Sequence, residues 1–127
     1  MIYDIAKELV LTNPGTSGSP LTTYEHSQPI ALEGVNNVML EAILMAADQP
    51  STTGLDIVIQ QSNDLENWTT GQGISWYSTL TAPQRATAYE YVGVWSNYLR
   101  VEYRMTVSGS DPSTIVVSAF FNVVRDR

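Results

Sequence analysis

The stretch Tyr98-Leu-Arg-Val-Glu-Tyr-Arg-Met-Thr-Val107 decides the fold class. Leu99, Val101, Tyr103, Met105 and Val107 share one parity, and Tyr98, Arg100, Glu102, Arg104 and Thr106 share the other. A helix would scatter both sets around its axis. A strand, whose side chains alternate between faces, turns the first set onto a core and leaves the second in water. Arg100, Glu102 and Arg104 lie two residues apart on the wet face, where they can pair with side chains of neighbouring strands.

Working outward, Ser108 to Ser113 reads as a turn and Thr114 to Val124 as a closing strand. Ile115, Val117, Ala119, Phe121 and Val123 form its inner face, yet Val116, Phe120 and Val124 make the opposite face apolar too. Asn37 to Ala47 behaves in the same way. Val38, Leu40, Ala42, Leu44 and Ala46 fall on one side, and Met39, Ile43 and Met45 flank Glu41 on the other. Met, Leu, Glu and Ala also favour helices, so a helix is the rival reading for this segment. One small core covers one face of each strand. The surplus residues Val116, Phe120, Val124, Met39, Ile43 and Met45 are therefore expected to form an interface with a second copy.

The remaining segments fit the same scheme. Leu55 to Gln61 alternates behind the turn-rich Asp48 to Gly54, and Trp68 to Ser78 resumes strand composition around a Gly71-Gln-Gly73 bulge or wide hairpin end. After an Ala82-Pro83 break, Ala88 to Trp95 is aromatic and β-branched. Ile5 to Thr12 and Gln28 to Leu32 complete the set, separated by a Gly-, Ser- and Pro-rich stretch from Asn13 to Pro20. The expectation is an all-β chain: one domain spanning 1–127, about seven to nine strands in a two-sheet antiparallel β-sandwich of jelly-roll type, with a flexible N-terminal loop or arm around 12–24.

Composition narrows the partners. The 127 residues are 43% hydrophobic and 15% charged, enough apolar side chain for one core and few charges for an isolated surface. The net charge is −7, and the six cations, Lys7, Arg85, Arg100, Arg104, Arg125 and Arg127, form no stripe. Direct binding to nucleic acid or to an anionic membrane is therefore not expected. With no cysteine there is no disulfide framework or thiolate nucleophile. The first residues lack the basic and apolar regions of a secretion signal, so synthesis in the cytoplasm without a signal peptide is expected.

Candidate catalytic groups are few. His26 is the single histidine, in the polar run Thr23 to Gln28, and reads as a surface-loop residue because no serine is marked as lying on a strained nucleophile turn. Asp56, Asp64, Glu66, Glu90 and Glu102 have the chemistry of general acids and bases, but no spacing pairs them. Asn63 to Asn67 lacks the ligand series of a calcium loop, and Asn63 and Asp64 instead suit a tight turn. No cofactor motif is present, and no catalytic role is expected. Among three Trp and seven Tyr, the aromatics to watch are Trp68, Trp76, Tyr77, Tyr91, Trp95 and Tyr98. Their alternatives are core packing and, for Trp68, Trp76, Trp95 and Tyr98, stacking on glycans.

The run Ile57-Val-Ile-Gln-Gln-Ser-Asn-Asp-Leu-Glu-Asn-Trp68, with Tyr98-Leu-Arg-Val101 thirty residues on, resembles wording found in two groups of β-sandwich. One is the discoidin-like (F5/8 type C) carbohydrate- and lipid-binding modules, from which this chain departs by Leu65 in place of Gly and by the missing terminal cysteines. The other is small bacteriophage virion proteins such as capsid decoration and head-associated proteins. The second resemblance implies a non-enzymatic structural protein of the virion that self-assembles as a homo-oligomer and contacts a capsid or other virion protein. A carbohydrate-binding module using exposed Trp and Tyr is the alternative.

Overall fold

The computed structural model describes residues 2–32, 34–48, 52–77, 84–87 and 91–125. All regular structure among them is β: β1 (Ile2–Asn13), β2 (Leu21–His26), β3 (Val35–Asp48), β4 (Thr52–Ser62), β5 (Thr69–Tyr77), β6 (Gln84–Thr87), β7 (Val92–Gly93), β8 (Tyr98–Val107) and β9 (Ser113–Arg125). The helix reading of 37–47 gives way to a strand, because both of its apolar parities find use in a sheet. The turn expected over Asp48 to Gly54, the Ala82-Pro83 break and Ala88 to Glu90 of an expected strand lie wholly or partly outside the described residues.

Two antiparallel sheets pack face to face as a β-sandwich. One has the order β1-β9-β3-β6, with β7 also paired to β3, and the other has the order β2-β8-β4-β5. The pairings nest within one another: β4 pairs with β5, β3 with β6 and β7, β2 with β8, and β1 with β9. Between the sheets lies one apolar cluster. Val38, Leu40, Leu44, Ile115, Val117 and Phe121 of the first sheet meet Leu55, Ile57, Ile59, Leu99, Val101, Tyr103 and Met105 of the second. Burying side chains of this size at about 25 cal/mol per Å² of apolar area is the main term holding the sheets together.

Several expectations are corrected. Leu21 to Tyr24 is not part of a flexible arm but belongs to β2, and Thr12 and Asn13 belong to β1, which leaves only 14–20 as a loop. That loop is tied down. Asn13 is fully buried, and its Nδ2 donates to the carbonyls of Leu21 (3.0 Å) and Met105 (2.9 Å) while its Oδ1 accepts from Gly15 N (2.9 Å). Thr16 N donates to Gly109 O at 2.6 Å. Gly15, at φ +82°, lies so close to the 109–111 turn that a Cβ would stand 2.8 Å from two backbone oxygens. Gln28 to Leu32 does not form a strand and makes one bridge, Ile30 to Leu99, beside a proline that has no N–H to continue a ladder. Ala46 does not face the core. A register shift between Leu44 and Ala46 inserts an extra residue, which turns both Met45 and Ala46 outward.

The Gly71-Gln-Gly73 expectation of a bulge is met: the β4–β5 register shifts between Val58 and Gln60, opposite Gly73 and Thr70. At Gly73 a Cβ would fall 1.9 Å from Ile57 O, so only glycine fits there.

Candidate functional site

The two outer faces of the sandwich differ in chemistry. On the β2-β8-β4-β5 sheet, residues in register make polar pairs. His26 sits opposite Glu102, Tyr24 opposite Arg104, Thr22 opposite Thr106, and Gln60 opposite Arg100. His26 Nε2 lies 2.7 Å from Glu102 Oε2, and Arg104 Nε donates to Glu102 Oε1. Arg104 also stands over the Tyr24 ring. Arg100 Nε donates to Gln60 Oε1 (2.7 Å), Gln60 Nε2 to Thr70 Oγ1 (3.1 Å), and the Arg100 guanidinium stacks 4.1 Å from the centre of Trp68. His26 is thus a strand residue held by a carboxylate, not a loop histidine.

Charge follows from this packing. Burial alone would raise the Glu102 carboxyl, but hydrogen bonds from Arg104 and His26 outweigh it and hold the group below the usual carboxylate value. Burial draws Arg100 below the usual guanidinium value. In the 62–68 turn, Asp64 accepts from the backbone N–H of Asn67 and Glu66 and from the Asn67 amide, which holds its carboxyl well below the ordinary range. Leu65 takes φ +64° there, the conformation that glycine adopts without steric cost.

The outer face of β1-β9-β3 mixes apolar and polar side chains, with Met39 opposite Asn122, Phe120 opposite Glu41 and Asp4, and Ile43 opposite Ser118. Met39, Ile43, Met45, Val116, Phe120 and Val124 all lie on it, half-buried or exposed, with Val124 42% and Met45 40% accessible. Val10 of β1, 55% exposed, sits directly opposite Val116 and extends the patch. The polar residues amid these groups bond locally: Asn122 Nδ2 to Glu41 Oε2, and Ser118 Oγ to Met45 Sδ at 3.0 Å.

The four aromatics read as glycan-stacking candidates separate. Trp76 is 7% exposed and belongs to the core, opposite Leu55, so it offers no stacking surface. Trp68 is half-covered by Arg100. The Tyr77 side chain lies outside the described residues. Trp95, 58% exposed, and Tyr98 border a hollow of about 510 Å³ at one end of the sandwich, together with Leu32, Gly34, Ser96 and Asn97. A smaller hollow of about 230 Å³ opens between β1 and β2 beside Tyr103. The Tyr103 hydroxyl is buried without a hydrogen-bond partner, and burial, aided by Glu25, pushes it well above the usual phenol value.

Sequence reasoning missed Gln61 and Asn13. Each is an amide on a strand that the alternation assigns to the core, and a polar residue at such a position is the signal that could have found them. No family model and no curated sequence matches the chain.

Proposed function

We propose that the protein is a non-enzymatic structural component of a virion, of the capsid decoration or head-associated kind, that self-assembles through the outer face of β1-β9-β3. The observation that carries this reading is the run of Met39, Ile43, Met45, Val116, Phe120 and Val124 on one sheet face. Six large apolar side chains on one sheet face, interleaved with Glu41, Ser118 and Asn122, leave apolar area for which a second copy bearing the same face is the simplest cover. The opposite sheet supports the assignment by contrast, since His26, Glu102 and Arg104 are paired among themselves and Arg100 is held by Gln60 and Trp68, an arrangement that suits a face left in solvent.

The nested strand pairing is read as jelly-roll winding, an architecture used by viral capsid and lectin domains. Fold alone does not carry function. The virion assignment adds to it the local resemblance around Ile57 to Trp68 and the low charge content.

Sedimentation over a wide concentration range tests the proposal. The protein is expected to sediment as a multimer, and a double variant Met45→Glu plus Val124→Glu, which changes two accessible positions and leaves the core alone, is expected to shift it to monomer. A wild-type protein that stays monomeric at high concentration and does not bind assembled capsids overturns the reading.

A further inference from the structure

We propose that the hollow bordered by Trp95 and Tyr98 binds a neutral sugar, with the pyranose ring stacked on the Trp95 indole. This goes beyond assembly and uses a different surface, at the end of the sandwich rather than on its β1-β9-β3 face.

The first argument is that the fold holds Trp95 in place while leaving it wet. Gln61 is 5% exposed, yet its side-chain amide serves the loop that carries the tryptophan: Nε2 donates to Gly93 O (3.0 Å), and Oε1 accepts from Trp95 N (3.1 Å). Ser96 Oγ lies 3.0 Å from the same Gln61 oxygen and 2.8 Å from Tyr98 O. Val94 N donates to Asn36 O at 2.7 Å, and Asn97 N to Asn63 Oδ1 at 2.8 Å. The Trp95 indole is more than half exposed on a backbone fixed from both sides, which is the preorganisation a binding aromatic requires.

The second argument concerns ligand class. The described residues lining the hollow are Trp95, Tyr98, Ser96 and Asn97 with small or aliphatic neighbours, and none of these carries a charge. Among these described residues a phosphate, a carboxylate or a cation meets no opposite charge. A sugar fits both parts of the lining. Its C–H face is apolar enough to stack on an indole, and its hydroxyls match the amide of Asn97 and the hydroxyls of Ser96 and Tyr98. The volume falls within the usual span of ligand sites, roughly 300 to 1,000 Å³, and admits one or two rings.

Tryptophan indole N–H resonances provide the test, since three indoles report separately. The probes are the methyl glycosides of glucose, galactose, mannose and N-acetylglucosamine and the matching disaccharides, each up to about 50 mM, because a single stacked ring gives weak binding. At least one probe is expected to move the Trp95 resonance saturably while leaving Trp76 in place. Trp95→Ala is expected to weaken binding about tenfold or more, and Asn97→Ala to weaken it less, with both variants keeping the wild-type β-sheet circular dichroism. The proposal falls if no probe moves the Trp95 signal, or if binding survives Trp95→Ala. It also falls if the Trp95 signal responds to protein concentration and not to sugar, because the indole would then be covered by a second copy.

Discussion

Two buried polar residues, Asn13 and Tyr103, make opposite predictions. Asn13 donates to the Leu21 carbonyl and, at shorter range than the Thr23 hydroxyl (2.9 against 3.4 Å), to the Met105 carbonyl, and it also fixes Gly15. Asn13→Ala leaves those groups short of partners in the interior and is expected to cost about 2–3 kcal/mol in urea unfolding. Tyr103 contributes the opposite case, a hydroxyl desolvated with no partner. Tyr103→Phe keeps the ring and removes the orphan, so stability is expected to hold or rise by up to about 1 kcal/mol. A clear loss on Tyr103→Phe would mean that the hydroxyl is hydrogen-bonded through the adjoining hollow. Glu102 adds a pH dependence. Its folded carboxyl sits below the ordinary value, so the stability it contributes is fully present above the unfolded value of about 4.3 and is lost as pH falls through the lower, folded one. Unfolding free energy measured between neutral and acidic pH is expected to decline less steeply below about pH 4.3 in Glu102→Gln than in the wild type.

At the scale of elements, the β5 bulge offers a sharp contrast between two glycines. Gly73→Ala drives a methyl into the Ile57 carbonyl, and the strand pair must separate, whereas Gly18→Ala meets nothing within 4 Å. The first is expected to cost at least about 2 kcal/mol and the second less than about 0.5 kcal/mol by thermal or urea denaturation. Equal effects would refute the bulge geometry. Elements with a strong alternating signal were legible in the sequence: β8 is found at the expected Tyr98–Val107, and β3 and β9 extend the expected segments by one or two residues. β2 was not legible, because Leu21-Thr-Thr-Tyr-Glu-His26 has no buried side chain and becomes a strand by hydrogen bonding to β8. The His26–Glu102 pair was hidden for the same reason, since it exists only once that register is known. β6 lies in a stretch where Pro83 signals a break, and of the strand expected over 88–95 the described residues keep only Val92–Gly93. The apolar residues of the outer face were legible from the doubled parities of β3 and β9. The hollow beside Trp95 was not, because the fold brings together Ala31, Leu32, Gly34 and Val35 with residues 94–98 to build it.

For the whole molecule, nested pairing predicts how it folds. The β4–β5 hairpin joins strands separated by the 62–68 turn, whereas β1 pairs with β9 from Ile2 opposite Asn122 to Asn13 opposite Ser113, across almost the entire chain. Closing so long a loop loses entropy before any contact compensates for it, so refolding is expected in milliseconds to seconds rather than microseconds. The same asymmetry orders the steps. Contacts within β4–β5 are expected to form by the transition state, and those of β1 after it. Ile74→Ala in β5 and Leu11→Ala in β1 each remove a buried aliphatic group and should each cost about 2–5 kcal/mol at equilibrium, ample for kinetic analysis. Stopped-flow measurements at dilutions that keep the protein monomeric are expected to show Ile74→Ala mainly slowing folding and Leu11→Ala mainly accelerating unfolding. If Leu11→Ala instead slows folding in full proportion to its loss of stability, the terminal strands meet early, and a nucleus at the central hairpin is excluded.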